Sequence, residues 1–587
     1  MSGTKSRRTF LKAVPVAVAG AVATKAFAQQ AQVGPISRET VDCAEAIAGL
    51  DFHTAEEDAI ARSLNGNLNT YQQLRQITIP HDTEVALSFR PYLPGEKPKG
   101  PATPGRALRY AKPAAGAVKR PANLEDVAFW PVTKLAALIE RKLVTSTELT
   151  QMYLGRLKRY QPTLLFAVTI TEELALQQAA AADKAIAAGK YKGPLHGIPW
   201  GAKDLFATKG IKTTWGAEPY MEQVPDYDST VVERLRDAGA VLVAKLTMGA
   251  LAQGDQWFGG RTRNPWNPQA GSSGSSAGPG SATAAGCVGF AIGTETRGSI
   301  ISPTTVNGVV GLRPTYGRVS RYGAMELSWT MDKVGPMCRS VEDCVLVLNA
   351  IYGPDGRDES VADAAFTWNP DAPLSGYRIG YVRGDFEAAA AGAGGGRGGG
   401  GRGGGANAAQ QQAAAAERLK NLQASMAVLQ KLGAKLEPVE LPNYPANALS
   451  FVRSVEAAAA FDDLTRSRGT DLMTTSNSTW GATFRSARFV PAVEYIRAQR
   501  IRTLLMREWD TFMDKYDAFI SSNNAGLAAT NLTGHPAIAL KCGFVNNLPH
   551  PLMVTGRLYD EGTICRIAYA YEQATEWKDR HPMLATS

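Results

Sequence analysis

One Gly/Ser run, AGSSGSSAGPGS at 270–281, sets the tightest limit on how this chain folds. Such runs usually form flexible linkers, and a linker should be followed by a change in composition. Here the chain runs into a predicted small-residue helix (282–285), a predicted strand (288–292) and a second turn, GTETRGSI (293–300). A phosphate-binding loop would need a Lys after the Gly, which this run lacks. Two tight turns that bracket a helix and a strand favour a functional site.

The composition excludes several classes of protein. Apolar residues make up 44% and charged residues 20% of the 587 residues, a balance that excludes a mostly disordered chain. No long apolar run follows the N-terminus, which excludes a protein with several membrane spans. Of the net charge of +9, residues 1–28 supply +5, and the remaining +4 is too small to predict nucleic-acid binding. The six Cys and six His show no metal-ligand spacing, and we expect neither a metal nor a cofactor.

Residues 1–28 read as an export signal. The string SRRTFLK (6–12) precedes a moderate apolar run that ends in Ala26-Phe27-Ala28, a pattern typical of a bacterial twin-arginine signal with its cleavage site. The run contains Pro15 and Lys25 and is too weakly apolar to span a membrane well. We therefore expect a periplasmic or secreted protein without stable membrane insertion.

The rest of the chain divides into an extension and a larger α/β domain. Residues 29–124 form the extension, in which 36–75 show helical spacing and 91–122, rich in Pro, Gly and Lys, form a linker. From 125 to 580, predicted helices alternate with apolar runs, which indicates a mixed sheet covered by helices on both faces. The predicted strands are 240–244, 288–292, 309–312, 377–382, 518–520 and 537–540. A predicted helix has Ser146 and Thr147 as candidate caps and carries the apolar residues Leu149, Tyr153, Leu157 and Tyr160.

A low-complexity segment at 387–416 interrupts this domain. Its composition of Gly, Ala and Gln cannot bury apolar surface, so a disordered loop is expected. A nucleic-acid-binding RGG segment is the alternative, which two Arg and no aromatic residue disfavour. The stripe that follows predicts a helix, with Leu419, Leu422, Met426, Leu429 and Leu432 on one face.

A second motif, GPLHGIPWGAKD at 193–204, places Lys203 after an apolar, turn-rich stretch. A Lys that is removed from water has a lowered pKa and can act as a base. A Ser hydroxyl needs such a base to become a nucleophile.

Together these segments resemble the amidase signature family of serine hydrolases. The matching stretches are 193–204, GSSGSSAGPGSATAAG (271–286), GTETRGSIISPTTVNGVVGLRPTYGRVSRYG (293–323), 331–343 and 531–537. The resemblance extends over about 125–580 and implies the family's α/β fold.

The resemblance also implies roles for individual residues. Ser299 matches the nucleophile, Ser275 the bridging Ser that follows a cis peptide bond, and Lys203 the base. Ser276 matches a residue that helps to orient the Lys. The oxyanion hole is expected from the backbone N–H groups of the turn that consists of Thr296, Arg297, Gly298 and Ser299.

Two positions depart from the family pattern. Ala277 stands where the family loop usually has Gly, and one methyl group is expected to be tolerated. Arg297 stands where many members have Gly. It either faces the substrate and favours an anionic group, or it faces solvent or pairs with an acid such as Glu295.

The remaining polar candidates are expected to be structural. His196 and His535 lie inside the matched segments, but a Ser-Ser-Lys mechanism needs neither. Cys287 is expected to be a small core residue.

The expected function is an amidase that hydrolyses the carbon–nitrogen bond of a linear amide, either a small amide or a peptide amide. The reaction is expected to pass through an acyl-enzyme on Ser299. Alternatives are a glutaminase like the ammonia-supplying component of glutamyl-tRNA amidotransferase, a catalytically silent binding protein, and an esterase. The expected partner is the small-molecule substrate and not a nucleic acid, while self-association stays open.

Overall fold

The computed structural model describes residues 35–48, 54–74, 89–93, 108–114, 116–387, 408–476 and 478–584. The predicted signal at 1–28 and most of the predicted loop at 387–416 lie outside these residues. No helix in the described ranges is long and apolar enough to cross a membrane.

Fifteen strands are found in the described part of the chain, and eleven of them form one central mixed sheet. These eleven are β1 Ala167–Ile170, β2 Pro199–Lys203, β3 Val241–Leu246, β8 Phe290–Glu295, β9 Val310–Arg313, β10 Lys333–Cys338, β11 Arg378–Val382, β12 Lys435–Val439, β13 Ala518–Ser521, β14 Ala537–Val545 and β15 Leu548–Gly556. Two small hairpins are formed by β4 Gln256–Trp257 with β5 Gly260–Arg261, and by β6 Arg263–Asn264 with β7 Asn267–Gly271.

The strand order of the large sheet is β1-β3-β2-β8-β10-β9-β14-β15-β13-β11-β12. Pairing is antiparallel through the middle, from β8 to β13. The parallel pairs lie nearer the two edges: β3 with β2 and β2 with β8 on one side, and β13 with β11 and β11 with β12 on the other. The sheet is therefore mixed, as predicted.

Helices flank this sheet, which confirms the predicted α/β class. They are α1 Arg38–Ala48, α2 Thr54–Leu74, α3 Val132–Glu140, α4 Ser146–Leu164, α5 Glu172–Ala187, α6 Thr230–Asp237, α7 Ala277–Ala284, α8 Ile301–Asn307, α9 Val341–Ile351, α10 Arg383–Phe386, α11 Ala408–Lys431, α12 Phe451–Ala460, α13 Asp462–Arg466, α14 Trp480–Ala487, α15 Ala492–Met513, α16 Leu527–Thr533 and α17 Glu561–Gln573.

The buried strand β3 shows why the sheet needs helices on both sides. All six of its residues are buried, as expected for a continuous apolar run in a parallel part of a sheet. Successive side chains of a strand point to opposite faces. Accordingly, Leu242 joins one hydrophobic core, whereas Val241 and Val243 join another.

Three sequence predictions need correction at element ends. Helix α4 is capped by Thr145, because its hydroxyl and the Glu148 side chain form a reciprocal capping box; Ser146 is already helical. Helix α11 begins at Ala408, inside the segment 387–416 for which composition predicts a loop, because Ala and Gln are good helix formers. Leu432 lies beyond the end of α11 and is 39% exposed, so it is not part of the buried stripe.

Candidate active site

Lys203 is the last residue of β2, and its side chain is fully buried. Its Nζ lies 2.9 Å from the Ser275 Oγ, 3.1 Å from the Ser276 Oγ and 2.8 Å from the Thr294 Oγ1. Strand β8, which carries Thr294, is the parallel neighbour of β2 in the sheet. The pairing of these two strands therefore brings Lys203 beside Thr294.

The environment of Lys203 favours a neutral amine near neutral pH. Burial lowers its pKa to about 7, although the negative charges of Asp332 and Glu295 oppose that shift. No carboxylate of the described residues forms an ion pair with its Nζ; hydroxyl groups surround it instead. Hydroxyls can accept a hydrogen bond from the ammonium form or donate one to the neutral amine.

The Gly/Ser loop between β7 and α7 is fitted closely to its neighbours. The peptide bond between Gly274 and Ser275 is cis, as the resemblance implies. A Cβ at Gly274 would lie 1.8 Å from the Gly254 carbonyl oxygen, so only Gly fits there. Ser276 is tied to β8: its Oγ donates to the Thr294 carbonyl at 3.1 Å and accepts from the Thr294 N–H at 3.2 Å.

Ser299 lies half-buried in the turn between β8 and α8. Its carbonyl oxygen accepts a hydrogen bond from the Ser276 N–H at 3.2 Å, which joins this turn to the loop that carries Ser275. Gly298 has φ +107°, a backbone conformation that residues with a Cβ rarely adopt. The structure thus brings Lys203, Ser275, Ser276 and Ser299 to one place.

The backbone N–H groups of the turn differ in how they are used. The N–H groups of Ile300 and Ile301 donate to the Glu295 carboxylate at 2.8 and 2.9 Å. Across the described part of the chain, no acceptor is found for the N–H groups of the four residues predicted to form the oxyanion hole, 296–299. Those four remain available to a developing negative charge.

Glu295 is the centre of a buried ionic network beneath this turn. Its other oxygen accepts from the Arg313 Nη1 and the Asn531 Nδ2, both at 2.9 Å. Burial alone would raise the pKa of Glu295, but Arg313, the Ile301 N–H and Lys333 outweigh it and keep the pKa low. The carboxylate therefore stays ionised and fixes the start of α8.

Thr296 is held by a second carboxylate. Its Oγ1 donates to Asp332 at 2.6 Å, and Asp332 also accepts from the N–H groups of Leu327 and Ser328. This contact fixes the first residue of the turn in position.

Arg297 is exposed, and its Nη2 donates to the Asn447 Oδ1 at 3.1 Å. The alternative that Arg297 pairs with Glu295 is wrong, because Glu295 points inward to Arg313.

The other polar candidates have structural surroundings. The Nδ1 of His196 accepts from the Lys192 N–H, and the His535 Nδ1 shares a hydrogen bond with Thr533. Burial, reinforced by the charge of Arg313, lowers the pKa of His535 to about 3. Cys287 is fully buried, which raises its pKa to about 12 and makes its thiol inert. Among the described residues, one group of carboxylates is close enough to hold a metal ion, Asp42, Glu45 and Glu57, and it shares no residue with this site.

Known proteins resemble this chain in sequence and in fold. The family model described as Amidase matches residues 148–392. A glutamyl-tRNA(Gln) amidotransferase subunit from Moorella thermoacetica is 34% identical over 507 residues, which cover 77% of this chain and 98% of that protein. The chain belongs to the amidase family. It is accordingly an enzyme of a family that hydrolyses carbon–nitrogen bonds.

Solved amidase structures share the fold. The native peptide amidase from Stenotrophomonas maltophilia superimposes with a TM-score of 0.67 at 28% identity, over 78% of this chain and 99% of that one. The corresponding glutamyl-tRNA(Gln) amidotransferase subunit from Thermotoga maritima gives a TM-score of 0.59 at 24% identity, over 80% and 99% of the two chains. At that identity the second likeness speaks for the fold alone.

Sequence reasoning missed three residues of this amidase site: Thr294, Glu295 as a buried anchor, and Asp332. Thr294 carried a usable signal, because it lies in the second turn, two residues after the predicted strand 288–292. Glu295 bonds to Asn531, and Asp332 bonds to Thr296, over separations of 236 and 36 residues, which no local sequence pattern predicts.

Proposed function

We propose that this protein is an amidase that hydrolyses small amides or peptide amides through an acyl-enzyme on Ser299. The observation that carries the proposal is a fully buried Lys203 whose pKa falls to about 7 and whose Nζ lies 2.9 Å from the Ser275 Oγ. A neutral amine is a base, and the hydroxyl at its side can pass a proton on.

In the first step, the neutral amine of Lys203 takes the proton of the Ser275 hydroxyl, while Ser275 takes the proton of Ser299. The Ser299 oxygen then attacks the carbonyl carbon of the amide and forms a tetrahedral intermediate. The N–H groups of residues 296–299 stabilise its oxyanion, and the loss of one such donor typically costs about 3 kcal/mol.

The ammonium form of Lys203 returns the proton through Ser275 to the leaving nitrogen, and the carbon–nitrogen bond breaks. Water attacks the acyl-enzyme by the same path: its proton passes to Lys203, the carboxylic acid leaves, and Ser299 recovers its proton. Each cycle consumes one amide and one water and releases one acid and one amine or ammonia.

The test uses a fluorophosphonate, which reports the nucleophile without knowledge of the substrate. Residues 29–587 are treated with the reagent and the intact mass is read. We expect one adduct on the wild type, none on Ser299→Ala, and much slower labelling of Lys203→Ala. Ser281→Ala is the matched control, because its buried hydroxyl lies in the same motif but donates to the Arg263 carbonyl. A folded wild type without an adduct would favour the silent binding protein.

A second candidate is a glutaminase of the amidotransferase type. The relatives named as glutamyl-tRNA(Gln) amidotransferase subunits favour it, since this chain covers 98% of one of them at 34% identity. Their name describes one component of an assembly, so this candidate predicts activity that depends on partner proteins. Hydrolysis of peptide amides by the purified chain alone, with little hydrolysis of glutamine, would support the simple amidase. Esters would serve as a third substrate class in the same assay.

We also propose that residues 1–28 direct export by the twin-arginine route. The support is the order of the Arg7–Arg8 pair, the apolar run and the Ala26-Phe27-Ala28 pattern. A reporter fused after residue 28 should reach the periplasm, and replacement of both Arg by Lys should keep it inside. Export of the Lys variant would argue against this route.

A further inference from the structure

Arg297, two residues before the proposed nucleophile, contacts the element that leads to a second arginine, Arg453. Arg297 belongs to the oxyanion turn, and its side chain is exposed. It reaches Asn447, which lies in the 3-10 turn Ala446–Ser450. That turn leads directly into α12, the helix that carries Arg453. The contact between Arg297 and Asn447 thus places α12 beside the oxyanion turn.

Arg453 is largely enclosed but lacks an acceptor. Its guanidinium lies 5.5 Å from the ring centroid of Trp480, and its buried Nε has no hydrogen-bond partner among the described residues. Burial and the nearby positive charge of Arg297 lower its pKa, while Asp332 raises it. The two guanidinium groups are therefore within electrostatic reach of each other and of the residue that holds Thr296.

Trp480, which packs against Arg453, also contacts the segment that touches the Gly/Ser loop. Gln253 accepts from the N–H and Oγ1 of Thr479, the residue before Trp480, and the Trp480 Nε1 donates to the Leu251 carbonyl. The next residue, Gly254, touches Gly274. Trp480, on whose ring Arg453 lies, is thus linked through residues 251–254 to Gly274, the residue before Ser275.

Two acids near these arginines accept hydrogen bonds from other groups. Asp332 accepts from Thr296 and from two backbone N–H groups. Glu456, one turn along α12, accepts from Ser328 and Thr330. Neither arginine forms an ion pair with a carboxylate of the described residues. Asp332 supplies the nearby negative charge, but it is shared with Thr296 and pairs with neither guanidinium, so a ligand carboxylate would add the direct partner that the two arginines lack among the described residues.

We propose that Arg297 and Arg453 together bind an anionic group of the substrate, so that this enzyme acts on amides that carry a carboxylate. The inference rests on the proposed amidase function and names its substrate class. Arg is suited to this task, because its planar guanidinium binds carboxylate with charge-assisted hydrogen bonds. The carboxylate lies either on the acyl side or on the leaving amine, and the test separates the two.

The test compares substrates that differ by one exchange of a methyl group for a carboxylate. Valeramide and glutaramate (the monoamide of glutaric acid) probe the acyl side, whereas N-ethylacetamide and N-acetylglycinate probe the leaving side. For one pair, the wild type should favour the acid by kcat/KM. In Arg297→Gln and in Arg453→Gln that ratio should fall about 10- to 100-fold, the range for hydrogen bonds to charged groups. Exposed Arg500→Gln on α15 is the control, and its ratio should stay unchanged.

A direct binding measurement covers the case in which none of these amides is turned over. Glutarate and N-acetylglycinate should slow fluorophosphonate labelling of the wild type in a saturable way, and both arginine variants should lose that protection. Labelling without protection, together with no preference for the acid in either pair, would overturn this inference but leave the amidase function standing. No labelling of a folded wild type would instead refute the amidase function itself.

Discussion

At the scale of single residues, the proposed mechanism makes activity depend on the pKa of Lys203. Burial lowers that pKa to about 7, and the mechanism requires the neutral amine. The rate constant for fluorophosphonate labelling of Ser299 should therefore rise about tenfold per pH unit below pH 6.5 and level off above about pH 7.5. Stopped-flow or quenched labelling across this range measures it. A flat profile from pH 5.5 to 8.5 in a folded enzyme would exclude Lys203 as the base.

Glu295 is a positioning residue, because it contacts the turn and not the reacting atoms. In Glu295→Gln, an amide NH₂ must face either the N–H groups of Ile300 and Ile301 or the side chains of Arg313 and Asn531. Breaking a buried ion pair costs about 3–5 kcal/mol, and we expect that loss in urea unfolding. Labelling of the folded variant should be slower on the plateau above pH 7.5, and its midpoint should move below pH 7, because the negative charge of Glu295 raises the pKa of Lys203. A shifted midpoint with an unchanged plateau rate would mean that Glu295 acts only on the charge of Lys203 and does not position the turn.

The residues that the sequence predicts at this scale belong to short, contiguous motifs. Lys203, Ser275 and Ser299 each stand in a local pattern, and the structure gathers them. The network of Glu295 could not be predicted in the same way, since its bond to Asn531 joins residues 236 positions apart. Its formation depends on the sheet bringing β8 and β9 near α16, which no local spacing encodes.

At the scale of elements, the start of α7 sets a strict limit on residue size. Ala277 occupies a position where the family usually has Gly, and it is buried without difficulty. The next position is different, because a Cβ at Gly278 would lie 2.4 Å from both the Phe166 carbonyl oxygen and the Thr247 nitrogen. Position 277 therefore accepts a methyl group, whereas position 278 has no room for one.

Gly278→Ala should be destabilising by about 1–3 kcal/mol, since backbone atoms of two other segments would have to move. Its loop carries Ser275 and Ser276, so labelling of Ser299 should slow as well. Gly155→Ala is the matched control: a Cβ there meets nothing within 4 Å, and Ala in a helix is favoured over Gly by about 1 kcal/mol. Urea unfolding of both variants measures the contrast. Equal stability of the two variants would show that the segments of Phe166 and Thr247 can move away from position 278 at little cost in free energy.

Element ends are the least predictable feature at this scale. The composition of 387–416 indicates a loop, yet its last residues, from Ala408, continue the helix that buries Leu422 and Leu429. A helix can extend through Ala and Gln once an apolar stripe anchors it, because those residues have good intrinsic propensity. Pattern alone therefore locates the buried part of this helix better than its first turn.

At the scale of the whole molecule, the alternation of helices and strands predicts the α/β class but not the order of the strands. Strand β3 lies between β1 and β2, and β10 lies between β8 and β9. Such crossovers depend on how helices pack over the finished sheet. The active site follows from this order, because β2 ends at Lys203 beside β8, which leads to the turn of Ser299.

Two buried acids at the contact of α9 and α17 make global stability depend on pH. Burial raises the pKa of Asp343 to about 7 and that of Glu572 to about 8, even though the Val341 N–H donates to Glu572. Each acid binds its proton more tightly in the folded protein than in the unfolded chain. Their contribution is complete below about pH 4 and is lost as pH rises through 7 and 8.

Replacement of Glu572 by Gln removes the contribution of this acid to the pH dependence of the unfolding free energy. Other buried groups titrate in the same range, so the quantity to compare is the difference in unfolding free energy between Glu572→Gln and the wild type. This difference should shift in favour of the variant by a few kcal/mol between pH 5 and pH 8, since each unit of pKa shift is worth about 1.4 kcal/mol. Exposed Glu576→Gln, close to the end of the same helix, should show no such trend. If the difference in unfolding free energy between Glu572→Gln and the wild type is the same at both pH values, Glu572 is ionised in the folded protein. The positive charge of Lys541 favours that ionised form.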